Sequence, residues 1–311
     1  MRVPPQAQVT VRSPAKINLG LSVGPPRPDG YHPLATVYQA VALYDDVTAT
    51  VRDDLEVTVE VVGDFAVDVP TDDSNLAVRA ARLLQAEFDV EEGVDLTIRK
   101  TIPVAGGMAG GSTDAAATLV ACNRLWGLQL SPSELERIAT DLGSDVPFCL
   151  VGHTALGRGR GEQVTEVMSR GTFHWVFAIA DGGLSTPAVF KELDRQRPLR
   201  RVEAPEVRPE LLSALLSGQP ATLAVALSND LQSAALSLRP ELASTLQFGL
   251  DQGALAAMIS GSGPTCLFLA ADSRRAVDLA VELAESGLCR MVRQAEGPVP
   301  GARILPAPIS R

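Results

Sequence analysis

The chain has 311 residues, of which 46% are hydrophobic, and a formal charge of −10 from 27 Lys and Arg against 37 Asp and Glu. That length suits two cores of ordinary size, and the composition is that of a globular protein rather than a disordered one. The acidic balance argues against general binding to nucleic acid or anionic membranes, which requires clustered Lys and Arg, but it leaves room for a small anion held by local donors.

From the N-terminus, MRVPPQAQ has no apolar core and predicts no secretory signal. The stretches QVTVRSP, AKINLGLSV and VTATVRD alternate in the manner of separate strands, and GPPRPDGYH (24–32) is a turn-rich loop. LEVTVEVV reads as a strand, and SNLAVRAARLLQAEF as an amphipathic helix with Ser74 as its N-cap. After the strand VDLTIRK and a glycine-rich loop, a helix runs to about Trp126. Ser131 and Glu134 form a capping box for PSELERIATDLG. A short SDVPFCL segment follows, and HTALGRGRGE is expected to be a strand and turn.

HWVFAIA reads as a new buried strand, so the expected domains are 1–170 and 171–311. Beyond it, TPAVFKELD and leucine-rich helices lead to the strands LAAMIS and CLFLA, a helix SRRAVDLAVELAESG and a strand near RMVRQA. This order fits a ferredoxin-like layer of helices on an antiparallel sheet. The uncharged run 253–271 is long enough for a membrane span, but SGSGPT interrupts it, so two buried strands around a turn are expected. The tail EGPVPGARILPAPISR is Pro-rich and expected to be irregular. Cys122, Cys149, Cys266 and Cys289 are widely spaced without a CxxC pair, which suggests core thiols of a reducing, cytoplasmic compartment.

The chemistry concentrates in PVAGGMAGGSTDAAATLV (103–120), which has four glycines within six residues ahead of Ser112, Thr113 and a helix. Glycines let amides converge on a ligand, and a helix N-terminus adds about half a positive charge, so the stretch predicts an anion cradle. Ser112 and Thr113 could offer hydroxyls to a phosphate or Mg²⁺. Neither GxxxxGK[ST] nor GxGxxG is present, and tight strand-to-helix packing is the plainer alternative. Asp145 in GSDVPF reads as a helix cap or Asx-turn, and Lys16 in PAKINLGL as a solvent-facing strand lysine. A buried lysine–aspartate pair is the alternative, and spacing alone cannot bring the two together. Of the three histidines, His153 and His174 read as structural, while His32 beside Tyr31 belongs equally to a turn or a recognition pair. GRGRGE reads as a hairpin.

Together PAKINLGL, DGYH, PVAGGMAGGSTDAA, GSDVPF and SGSGPT resemble, in this order, the GHMP small-molecule kinases over about residues 9–295. Within that family they resemble the branch acting on 4-diphosphocytidyl-2-C-methyl-D-erythritol in the non-mevalonate route to isoprenoid precursors. The resemblance implies an α+β fold with an N-terminal ribosomal-protein-S5-domain-2-like domain and a C-terminal ferredoxin-like domain. It implies ATP as co-substrate, Mg²⁺, a small-molecule partner, no nucleic acid or membrane, and a monomer or homodimer. Asp145 would be the general base and Lys16 its cationic partner. Pro103, Val104, Ala105, Gly106, Gly107, Met108, Ala109, Gly110, Gly111, Ser112 and Thr113 would hold the ATP phosphates, with Asn75 near the adenine and the 261–265 loop closing over them. Tyr31 and Phe190 would sandwich the cytosine, with His32, Thr186 and Asn18 also contacting substrate. No Mg²⁺ ligand is singled out.

Ala105 and Ala109 stand where the family often has glycine, so a positive φ at either would demand a differently shaped loop. Thr113 keeps the hydroxyl of a usual serine. Another GHMP kinase, acting on homoserine or mevalonate, should lack the Tyr31–His32 pair. A non-catalytic regulator on the same fold should lack Asp145 or Lys16, and a generic two-domain protein would leave the five motifs unexplained.

Overall fold

Apolar residues at alternate positions in the first fifty residues build one long hairpin, β1 (Gln8–Val23) with β2 (Leu34–Arg52), and not a set of separate strands. The computed structural model describes residues 7–197 and 203–306, so the last residues of the Pro-rich tail, 307–311, lie outside it. Pro14 lies inside β1 at a register shift between Pro14 and Ala15. Proline has no N–H to give to a ladder, and a bulge is where a strand tolerates it.

Next come β3 (Val57–Gly63), α1 (Leu76–Glu87), β4 (Gly93–Lys100), α2 (Gly110–Leu125), α3 (Pro132–Leu142), α4 (Val146–Val151), β5 (Thr154–Arg158) and β6 (Gln163–Glu166). The N-cap of α1 is Asn75, not Ser74: Asn75 Oδ1 accepts from the Ala77 N–H at 2.8 Å, whereas the Ser74 hydroxyl donates to Asp72. Ser131 and Glu134 make the expected capping box on α3. SDVPFCL supplies the short helix α4, whose Val146, Pro147, Phe148 and Cys149 are all buried. GRGRGE forms the turn between β5 and β6.

The remaining elements are β7 (Phe173–Ile179), α5 (Thr186–Gln196), α6 (Pro209–Ser217), α7 (Pro220–Ala226), β8 (Ser228–Asn229), α8 (Gln232–Leu238), α9 (Leu242–Asp251), β9 (Ala256–Ile259), β10 (Cys266–Ala270), α10 (Ser273–Glu285), β11 (Met291–Gly297) and β12 (Arg303–Ile304). The run 253–271 holds two buried strands around the SGSGPT turn, and no described helix is long and apolar enough to cross a membrane.

One sheet runs β12-β1-β2-β4-β3, with β5 and β6 continuing from β2 and β8 beside β1; the other is antiparallel, β11-β7-β10-β9. On the first sheet, Val47, Ala49, Leu96 and Ile98 pack against α1, α2 and α3, and the alanines of α2 let its backbone lie close. In the second sheet, period two divides the strands between two cores. Val176, Ala178, Cys266 and Phe268 face α5, α8, α9 and α10. Trp175, Phe177, Leu267 and Leu269 face the opposite way, into a core shared with Ile17, Leu19, Val37 and Met108 of the first half. That shared core holds the second sheet against the N-terminal hairpin and leaves a cleft beside it.

Candidate active site

The cleft has a volume of about 610 Å³ and is lined from β1, β2, the 24–33 loop, the glycine loop, the start of α4, α5 and the 261–262 turn. Lys16 and Asn18 share one face of β1, as period two requires, and Lys16 Nζ donates to Asn18 Oδ1 at 3.1 Å. Asn18 is held in turn by donating to the Thr36 hydroxyl at 2.8 Å. The Lys16 side chain is 7% exposed, so it does not face solvent, and Nζ lies 3.2 Å from Asp145 Oδ2.

Asp145 precedes α4, but its side chain caps no helical N–H, which leaves the carboxylate for Lys16. It is 30% exposed, open enough to meet a ligand. Tyr38, opposite Asn18 on β2, was not foreseen: its ring lies 5.0 Å from Lys16 Nζ and lines the cleft. Burial pushes the Tyr38 phenol well above its ordinary pKa, and the charge of Asp145 and a hydrogen bond to it add to the effect. The phenol therefore remains a proton donor toward that carboxylate.

The glycine loop is pinned at three points. The Lys16 N–H donates to the Met108 carbonyl at 3.2 Å. The Ser260 hydroxyl donates to the Gly107 carbonyl at 3.1 Å. A Cβ on Gly107 would meet the Ser260 carbonyl oxygen at 2.0 Å, so only glycine fits. Ala105 and Ala109 adopt φ of 52° and 61°, inside the left-handed region that favours glycine. Ala109 is the N-cap of α2, and the free N–H groups of the first turn point out of the helix end.

Pro103, Ala105, Gly106 and Gly107 line the cleft, as do Ala109, Gly110, Gly111 and Ser112. Val104, Met108 and Thr113 do not. Met108 anchors in the shared core, and the Thr113 hydroxyl donates to the Pro14 carbonyl at 3.0 Å, so Ser112 is the hydroxyl left at the helix start. Asn75 is occupied as a cap and does not line the cleft, although its neighbour Leu76 does.

Behind the loop is a buried cluster. Lys100 Nζ is 2.6 Å from Asp45 Oδ2 and 2.5 Å from Asp114 Oδ2, while Asp45 Oδ1 accepts from the Thr101 and Ile102 N–H groups. Burial acts to lower the Lys100 pKa, but Asp114 and Asp45 outweigh it and hold the ammonium above its ordinary value. Burial pushes Asp114 well up. The cluster ties β2, β4 and the first turns of α2 into one unit.

At the far end of the cleft, His32 Nε2 lies 2.9 Å from Asp194 Oδ1 and its ring stacks on Phe190 at 5.0 Å and 30°. Tyr31, 54% exposed, lies under the Arg160 guanidinium at 5.2 Å and is not stacked on Phe190. The Thr186 and Ser262 hydroxyls are hydrogen-bonded at 2.8 Å, bridging α5 to the SGSGPT turn. Arg160, Lys191 and Asp194 are cleft residues that sequence reasoning missed. Arg160 lay within a hairpin signal, and Asp194 stands at helical spacing from Phe190.

Residues 75–153 match the model of the GHMP kinases N terminal domain, and residues 211–287 that of the GHMP kinases C terminal. A 4-diphosphocytidyl-2-C-methyl-D-erythritol kinase of Mycolicibacterium gilvum is 54% identical over 98% of this chain and 95% of its own. One of Streptomyces avermitilis is 56% identical over 96% and 99%. A crystal structure of 4-(cytidine 5'-diphospho)-2C-methyl-D-erythritol kinase superposes with a TM-score of 0.75 at 30% identity, covering 92% of this chain and 98% of that one.

Proposed function

The chain belongs to the 4-diphosphocytidyl-2-C-methyl-D-erythritol kinases of the GHMP kinase family, and from that membership we propose how its cleft works: it transfers the γ-phosphoryl group of ATP to the tertiary 2-hydroxyl of 4-diphosphocytidyl-2-C-methyl-D-erythritol. The observation that carries the reading is the Lys16–Asp145 pair at 3.2 Å, in one cleft with the N-terminus of α2.

Asp145 takes the proton of the substrate hydroxyl as its oxygen bonds to the γ-phosphorus. The bond from that phosphorus to the β–γ bridging oxygen breaks, and ADP leaves. General-base help of this kind contributes about 10²–10⁴ in rate. Lys16 keeps the carboxylate ionised and stabilises charge on the transferred group. The N–H groups at the start of α2 and the Ser112 hydroxyl hold the phosphates, the dipole of a 16-residue helix reinforcing them. His32, Phe190 and Tyr31 receive the cytosine, with Phe190 stacked on His32 as one wall and the exposed Tyr31 ring, under Arg160, as the other.

No three His, Cys, Asp or Glu among the described residues gather to hold a metal, while Ser112 and Asp145 offer oxygen donors in the cleft. This donor set suits Mg²⁺ carried mainly by phosphate oxygens, with the Ser112 hydroxyl as the protein's contribution. The ion would neutralise phosphate charge. The test is ADP release with Mg·ATP and the cytidyl substrate, with homoserine and mevalonate as controls. Turnover of the cytidyl substrate alone is expected, and turnover of a control in its place would overturn the reading.

A further inference from the structure

Asp194 has no part in the chemistry above, yet it lines the cleft from α5 one helical turn beyond Phe190. A carboxylate only accepts hydrogen bonds, so the His32 nitrogen that it meets at 2.9 Å, Nε2, carries the proton. In the neutral ring Nδ1 is then a bare acceptor. Nδ1 makes no hydrogen bond among the described residues, and it is not one of their sealed unpartnered atoms, so it opens on the cleft that His32 lines. Phe190, stacked on the imidazole, holds the plane of the ring.

Resting on the reading that this wall receives the base, we infer that Asp194 is a positioning residue: by holding the proton of His32 on Nε2, it keeps Nδ1 as an acceptor for the exocyclic amino group of cytosine and makes the cleft select an aminopyrimidine over a ketopyrimidine. The 4-amino group of cytosine donates into Nδ1. Uracil puts a carbonyl oxygen at the same place, lone pair against lone pair, and a desolvated acceptor without a donor is costly. Sites built to bond an N–H reject analogues lacking it far more strongly than apolar pockets reject a change of shape.

The test compares kcat/KM for the cytidyl substrate and its uridyl analogue in wild type, Asp194→Asn and Asp194→Ala, together with the imidazole ¹⁵N spectrum of each. The chain has three histidines, so that spectrum is simple to assign. Wild type is expected to prefer the cytidyl substrate by about a hundredfold or more. Both variants should lower that ratio by about tenfold, because an amide supports either tautomer and alanine supports neither. The His32 signals should move from a single Nε2–H tautomer toward a mixture. If Asp194 only anchored the 24–33 loop, both substrates would lose equally, and an unchanged ratio with an unchanged tautomer would overturn the inference. A wild-type enzyme that ignores the base would overturn the assignment of the wall, and the inference with it.

Discussion

Asp145 and Lys16 each look ordinary in their own stretch of chain, one as a turn residue before Val-Pro and the other as a lone cation in an apolar strand. What makes them a pair is the packing of α4 beside β1, which no local spacing encodes, and Asn18 and Tyr38 then fix the ammonium from two further sides. Asp145→Asn keeps the shape but cannot take the hydroxyl proton. It is expected to lower kcat by at least about a hundredfold, with ATP affinity by calorimetry within a few-fold of wild type; retained turnover would remove Asp145 as the base. The buried cluster makes a separate claim. Lys100→Met would leave Asp45 and Asp114 without their cation, and breaking a buried pair in this way costs about 3–5 kcal/mol. Urea unfolding should show that loss, whereas a change below about 1 kcal/mol would mean that the two carboxylates share a proton and need no lysine.

Elements with strong periodicity were legible: the α3 capping box, the two strands around SGSGPT and the glycine loop running into α2 all stand where the sequence puts them. The rest has local causes. SDVPFCL has no assignable element type in the sequence, because an apolar run as short and as buried as that of α4 carries no period to separate helix from strand. Asn75 is the cap because α1 starts at Leu76, one residue later than the sequence suggests, and the Ser74 hydroxyl turns back to donate to Asp72. The glycine loop shows how an element stores strain. A left-handed alanine costs about 1–2 kcal/mol, while glycine loses about 0.4–1 kcal/mol more chain entropy on folding. Ala109→Gly, at φ 61°, should therefore be stabilising by about 0–1.6 kcal/mol in urea titration. Gly107→Ala should do the opposite, since its Cβ would lie 2.0 Å from the Ser260 carbonyl oxygen and push the loop off the 260–263 turn. The KM for ATP is expected to rise about tenfold to a hundredfold in that variant, and an unchanged KM would separate the loop from the nucleotide.

At the scale of the molecule, the sequence reads as two successive units meeting near residue 170, but the backbone crosses that line. β8 and β12, both late in the chain, pair with β1, and the core of Ile17, Leu19 and Met108 is completed by Trp175, Phe177 and Leu267. The Trp175 indole N–H donates to Gln39 Oε1 at 3.0 Å across the same boundary. Separating the halves would expose that core on both sides and strip β1 of two partners, so neither half can be lost without the other. A single cooperative transition follows. Trp126→Phe leaves Trp175 as the fluorescence reporter of the shared core, at little cost because the Trp126 indole N–H has no hydrogen-bond partner. Buried thiols report the other two cores: Cys122 on the buried face of α2, and Cys266 on β10 under α9. Burial pushes the Cys266 thiol up to about 12 and Cys122 higher still, so neither forms a reactive thiolate while folded. In urea, Trp175 fluorescence and the alkylation of Cys122 and of Cys266 should share one midpoint. If Cys266 became reactive at clearly lower urea than Cys122, the second sheet would unfold on its own, and the shared core would be a docking surface and not a common interior.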